Sequence, residues 1–293
     1  MTTPPDRLLR RLEWRLGRRL DGRLQGAYRT VWHGTGIDFT DLRAYVLQDD
    51  VRHIDWNVTA RLDEPYIRQY TEDRELTAWL VVDRSASMRF GRGGGKDSVA
   101  TELAISLARL VSQGGNRVGA VLFDNGRHEI IPPRPGRDQI LRITRSLTAV
   151  PEKSSSVTDL SEMFKLAALT TARRRSLIFV MSDFIAEPGW ERALAMLTHR
   201  HEVVVIRVVD PSEMELPDVG LILVEDAETG EQLLVDTSDP LLRGRLATQV
   251  TAREDQVAEG MRKAGVAAHR VTTDQDMLAA LIEMVRTSGR GRR

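Results

Sequence analysis

The chain has 293 residues, enough for one large domain or two ordinary ones with ample core. Its 42 basic and 42 acidic residues cancel, so no global field draws it to nucleic acid or to an anionic membrane. It has no cysteine, which excludes disulfides, thiolate metal sites and a cysteine nucleophile.

No apolar run approaches the roughly 18 residues of a spanning helix, and the start lacks a signal-peptide core. These features, with a cysteine-free composition that fits a reducing compartment, lead to the expectation of a soluble, cytoplasmic protein. Of the basic residues 38 are arginine and only four (Lys96, Lys153, Lys165, Lys263) are lysine, a bias read as genome composition.

Residues 6–25 carry Leu9, Leu12, Leu16 and Leu20 at three- and four-residue steps, the stripe of one amphipathic helix. Arginines cover much of the rest. Such a helix docks on the protein's own body or on an acidic partner; a lipid anchor is disfavoured because the stripe is narrow and flanked by arginine. Residues 35–75 mix aromatics with opposite charges, which reads as short strands and loops held by arginine–carboxylate pairs. The chain thus divides into an N-terminal region over 1–75, an α/β domain over 76–287 and a frayed tail over 288–293.

From residue 76 the pattern alternates strand and helix. Strands are predicted over 76–83, 117–123, 176–182, 203–209 and 266–271, and helices over 98–113, 137–147, 159–172, 190–199, 240–264 and 275–286. Asp124-Asn125-Gly126 is a hairpin signal leading into a short antiparallel edge strand over 128–131, expected to stop at Pro132-Pro133. A second hairpin is expected at 220–225 and 232–236. The sum is an α/β fold: a doubly wound, mostly parallel sheet with one antiparallel edge strand and helices on both faces.

The strand over 76–83 organises the chemistry. Leu76-Thr-Ala-Trp-Leu-Val-Val-Asp83 reads as a strand buried on both faces, and Asp83, Ser85 and Ser87 fall just past its carboxyl end. Asp and Ser after a strand also serve as turn formers and caps. Two further loops leave the same sheet edge under right-handed crossovers, one offering Thr158 and one Asp183. Five oxygen donors from three loops suit an octahedral Mg²⁺ shell with one position open. Other sites are weaker. Gly91 to Asp97 imitates a phosphate loop but is one residue short. Neither serine lies in G-x-S-x-G, and His199-Arg-His201 offers no third ligand and reads as surface.

Asp83-x-Ser85-x-Ser87, Thr158 and Asp183 together resemble the metal-ion-dependent adhesion site of von Willebrand factor A domains. Upstream, Arg43-x-Tyr45, Asp49-Asp50-x-Arg52-x-Ile54-Asp55-Trp56, Thr59-Ala-Arg61 and Pro65-Tyr-Ile-Arg68 resemble the hallmark segment of a bacterial family, domain of unknown function 58. That family couples a von Willebrand factor A-like domain to MoxR-type AAA+ ATPases. The resemblance covers residues 35–286. It implies Mg²⁺ (or Mn²⁺) on Asp83, Ser85, Ser87, Thr158 and Asp183, whose open position takes a carboxylate from a partner protein. It further implies a non-enzymatic adaptor, working with the ATPase in assembly or maturation of other complexes. The alternative class is a Mg²⁺-dependent hydrolase of phosphate esters.

Overall fold

The computed structural model describes residues 36–46, 51, 54–62, 64–73, 76–89, 95–113, 115–124, 127–149, 158–215, 218–225 and 232–288. The expected N-terminal helix over 6–25, the Asp49-Asp50 pair, the tip of the Asp124-Asn125-Gly126 hairpin, the glycine-rich loop at 91–94 and the tail past 288 lie outside these residues.

The upstream region begins with a two-stranded antiparallel sheet, β1 (Gly36–Ala44) against β2 (Tyr66–Asp73). Between them α1 (Trp56–Leu62) starts under a cap: the Asp55 carboxylate accepts the Val58 N–H at 3.3 Å. Asp55 is therefore a capping group.

Among the described residues the main sheet has six strands. In chain order they are β3 (Thr77–Asp83), β4 (Arg117–Asp124), β5 (Arg127–Arg134), β6 (Leu177–Ser182), β7 (Glu202–Val209) and β10 (Ala268–Thr272). Across the sheet the order is β10-β7-β6-β3-β4-β5, every pairing parallel except β4 with β5. The remaining strands, β8 (Leu221–Glu225) and β9 (Gln232–Asp236), form the expected second hairpin as a separate two-stranded sheet. The edge strand β5 runs through Pro132 and Pro133 to Arg134 instead of stopping before them. An edge position allows this, because a proline's missing N–H can face away from the ladder.

Helices cover both faces. On one side α2 (Gly95–Gln113), α3 (Arg137–Thr148) and α7 (Met277–Ser288) pack on Leu80, Val82, Phe179 and Ile206. On the other, α4 (Leu160–Thr171), α5 (Trp190–Arg200) and α6 (Pro240–Lys263) pack on Trp79, Val81, Val180 and Val205. Alternate residues of β3 thus enter opposite cores, and both sets are apolar, which is why the strand reads as a continuous hydrophobic run. Removing each such side chain from water stabilises by about 1.5–3 kcal/mol. Gly260 of α6 is a close-approach position: a Cβ there would lie 2.6 Å from the Trp190 ring of α5. Among the described residues no helix is long and apolar enough to cross a membrane.

Candidate metal centre at the sheet edge

Strands β3 and β6 are parallel neighbours, so their carboxyl ends deliver Asp83 and Ser182-Asp183 to one edge. The Ser182 hydroxyl donates to Asp83 Oδ2 at 2.6 Å, and the Ser85 N–H donates to Asp83 Oδ1 at 2.9 Å. The second bond closes an Asx turn that folds the Asp-x-Ser-x-Ser loop back over the strand end. Ser85 and Ser87 then stand with their hydroxyl oxygens 3.1 Å apart. Arg84, between Asp83 and Ser85 in sequence, faces away. It is buried, donates to the carbonyls of Ser146 at 2.9 Å and Ala149 at 2.7 Å, and so ties the loop to the C-terminal end of α3.

Asp183 is fixed by its own turn. Ile185 N–H donates to Asp183 Oδ1 at 2.9 Å, and Phe184 N–H to Ser182 Oγ at 3.0 Å. Phe184 reaches this geometry at φ 60°, the left-handed region that a non-glycine residue rarely adopts. Its ring centroid lies 5.1 Å from that of Trp190 and 6.2 Å from that of Phe164, packing that holds the strained backbone in place. Arg207 of β7 adds a clamp: its Nε donates to the Asp183 carbonyl at 3.1 Å while its guanidinium grips Glu254 of α6 at 2.6 and 2.8 Å.

Thr158 is buried directly before α4. The cap of that helix is Asp159, whose Oδ1 accepts the Glu162 N–H at 3.1 Å. The structure thus buries all five sequence-derived donors: Asp83, Ser85, Ser87, Thr158 and Asp183. It brings the two aspartates close enough to sense each other. Burial, and then the charge of Asp183, push the Asp83 carboxyl up to about 6, against the lowering effect of its bonds to Ser182 and Ser85.

The donor set has the chemistry of a hard divalent cation. In an octahedral Mg²⁺ shell with metal–oxygen distances near 2.1 Å, adjacent oxygens are about 3.0 Å apart, close to the 3.1 Å between the Ser85 and Ser87 hydroxyls. Among the described residues no cluster of three or more His, Cys, Asp or Glu is arranged to hold a metal ion, so a cation here depends on the hydroxyls.

Two further residues enter the site unannounced by the sequence pattern. α2 begins at Gly95, three residues earlier than expected, and this places Lys96 in its first turn. The Lys96 side chain is 0% exposed, and its Nζ donates to Asp183 Oδ2 at 2.6 Å and to Glu213 Oε1 at 2.5 Å. Glu213 ends the short 3₁₀ turn Pro211–Glu213 after β7, and burial pushes its carboxyl up against the pull of Lys96. The rarity of lysine in an arginine-rich chain was the one available signal for Lys96. The histidine pair is corrected by the structure. His199 is exposed as expected, but His201 is buried, its Nδ1 accepting the Ser176 N–H at 3.2 Å and its Nε2 3.2 Å from the Thr171 hydroxyl. It joins α4 to the start of β6 as a structural pin.

The model of the family described as "Protein of unknown function DUF58" matches residues 41–256. The uncharacterized proteins Rv1480 of Mycobacterium tuberculosis and Mb1516 of Mycobacterium bovis are each 37% identical over 284 residues, covering 97% of this chain and 89% of theirs. Among solved structures, the conserved hypothetical protein BatB of Bacteroides thetaiotaomicron aligns at a TM-score of 0.49 and 16% identity, over 73% of this chain and 98% of its own. The von Willebrand factor A domain of SpRpn10 aligns at 0.43 and 12% identity, over 71% and 93%.

Proposed function

The chain belongs to the DUF58 family, and from that membership and the geometry of its sheet edge we propose that it is a metal-dependent protein-binding module, not an enzyme. Asp83, Ser85, Ser87, Thr158 and Asp183 would hold Mg²⁺ or Mn²⁺, which supplies an electrophilic seat for a carboxylate oxygen of a partner protein. The observation that carries this reading is the 3.1 Å pair of hydroxyls, Ser85 and Ser87, beside the strand-end carboxylate of Asp83. Three of the five donors are neutral hydroxyls and two are carboxylates, so the shell carries no excess negative charge that would repel an acidic partner side chain from the open position.

The partner implied by the family resemblance is a MoxR-type AAA+ ATPase, the pair acting in the cytoplasm in assembly or maturation of other protein complexes. Calorimetric titration of that ATPase tests this, with wild type in Mg²⁺, wild type in EDTA, Asp83→Ala and Ser85→Ala in Mg²⁺. Losing one side of a desolvated charge contact costs about 2–5 kcal/mol, so EDTA and both substitutions are expected to weaken binding at least tenfold with an unchanged circular dichroism spectrum. One dissociation constant shared by all four overturns the reading. Turnover of a phosphate ester that vanishes in Asp83→Ala replaces it with a hydrolase.

A further inference from the structure

Lys96 is the charge in this site that the metal-dependent reading leaves unexplained. A fully buried ammonium requires carboxylate partners, and this one has two. One of them, Asp183, is a proposed metal ligand; the other, Glu213, comes from a different loop and is not. We propose that Lys96 is a tethered cation that competes with a divalent metal for Asp183, with Glu213 the seat to which its ammonium withdraws.

Four features of the site support this. Asp183 Oδ1 already accepts the Ile185 N–H, and the other oxygen, Oδ2, is the one facing Lys96 at 2.6 Å. A metal on this carboxylate and the ammonium would therefore be neighbouring like charges in a buried site, where repulsion is weakly screened. Glu213 offers an alternative seat already in contact at 2.5 Å, so the ammonium can leave Asp183 without becoming unpaired. That seat is held firmly. The turn carrying Glu213 starts at Asp210, which accepts the Ser212 N–H at 2.9 Å and the Thr273 hydroxyl at 3.0 Å.

Charge and residue type agree. The carboxylates of Asp83, Asp183 and Glu213 against the one ammonium of Lys96 leave two negative charges, the complement of one divalent ion. A lysine also suits the role better than the arginine this chain otherwise favours. Its compact ammonium on a flexible four-carbon stem can pivot between two carboxylates, whereas a planar guanidinium would bridge them rigidly.

This inference rests on the metal reading, and the test separates the two. Mn²⁺ is titrated calorimetrically into full-length wild type, Lys96→Met, Glu213→Gln and the charge-balanced double variant Lys96→Met/Glu213→Gln. Lys96→Met is expected to bind Mn²⁺ at least tenfold more tightly than wild type. Glu213→Gln, which confines the ammonium to Asp183, is expected to bind at least threefold more weakly. The double variant should again bind more tightly than wild type, and it carries the test if the single Lys96 variant does not fold. Wild type binding Mn²⁺ with neither Lys96 variant any tighter overturns the competition and leaves the metal reading standing. If no protein binds Mn²⁺, both fall. Binding confined to the Lys96 variants supports both.

Discussion

Ser182 and Asp83 are the last residues of two neighbouring parallel strands, and the hydroxyl of one donates to the carboxylate of the other at 2.6 Å. The bond locks the two strand ends that carry the candidate site. Ser182→Ala would leave Asp83 Oδ2 buried without this donor. Hydrogen bonds to charged groups contribute about 1.5–3 kcal/mol, so chemical denaturation is expected to show a loss of that size. A loss under about 0.5 kcal/mol, the range of neutral surface changes, would mean that another group takes over the carboxylate.

Phe184 makes a second expectation unusual in its sign. Phe184→Ala removes a buried ring and is expected to cost about 3–5 kcal/mol. Alanine keeps the Cβ that disfavours φ 60°, whereas glycine does not. Phe184→Gly should therefore be at least as stable as Phe184→Ala, the reverse of the order at an ordinary extended position. Paired urea melts decide it, and alanine the more stable would show that the left-handed turn beside Asp183 carries no strain.

What the sequence made legible, and what it did not, follows from distance along the chain. Asp83 and Asp183 could be read because each ends a continuous apolar strand, a local pattern that also fixes which sheet edge it reaches. Ser85 and Ser87 lie within the same short motif. Lys96 and Glu213 are 117 residues apart, and their contact depends on where α2 begins and how the turn after β7 closes. Neither event has a periodic signature. His201 was misread for a related reason. A histidine past the end of an amphipathic helix reads as solvated, and only the approach of Thr171 of α4 and Ser176 before β6 encloses it.

His201 gives a pH dependence. Burial, and then the nearby Arg200 and Arg175 charges, lower its pKa below the usual 6.5. Its Nδ1 accepts the Ser176 N–H, so the folded state favours the neutral ring. The unfolded chain takes up the proton first as pH falls below about 6.5, and the folded state loses stability relative to it. Stability should thus decline from pH 7 to pH 5 more steeply in wild type than in His201→Asn, whose side chain does not titrate. Parallel slopes from urea melts across that window would assign the acid sensitivity elsewhere.

The last expectation concerns the metal and Thr158. Ligand that binds the folded state alone stabilises it by about 2.7 kcal/mol at a hundred times its dissociation constant. Mg²⁺ or Mn²⁺ should therefore raise the melting temperature, and Asp183→Asn should abolish most of the rise. Thr158→Val is the more discriminating variant. It keeps the β-branched shape at a buried position, removes only the hydroxyl, and leaves the helix cap in place, because Asp159 accepts the Glu162 N–H. A Thr158 that donates to the metal shell predicts a normal melting curve in EDTA within about 2 kcal/mol of wild type, the range of a lost hydrogen bond, together with a much smaller metal-induced shift. A shift equal to that of wild type would remove Thr158 from the ligand set and leave the hydroxyls of Ser85 and Ser87 with the two aspartates as the whole of it.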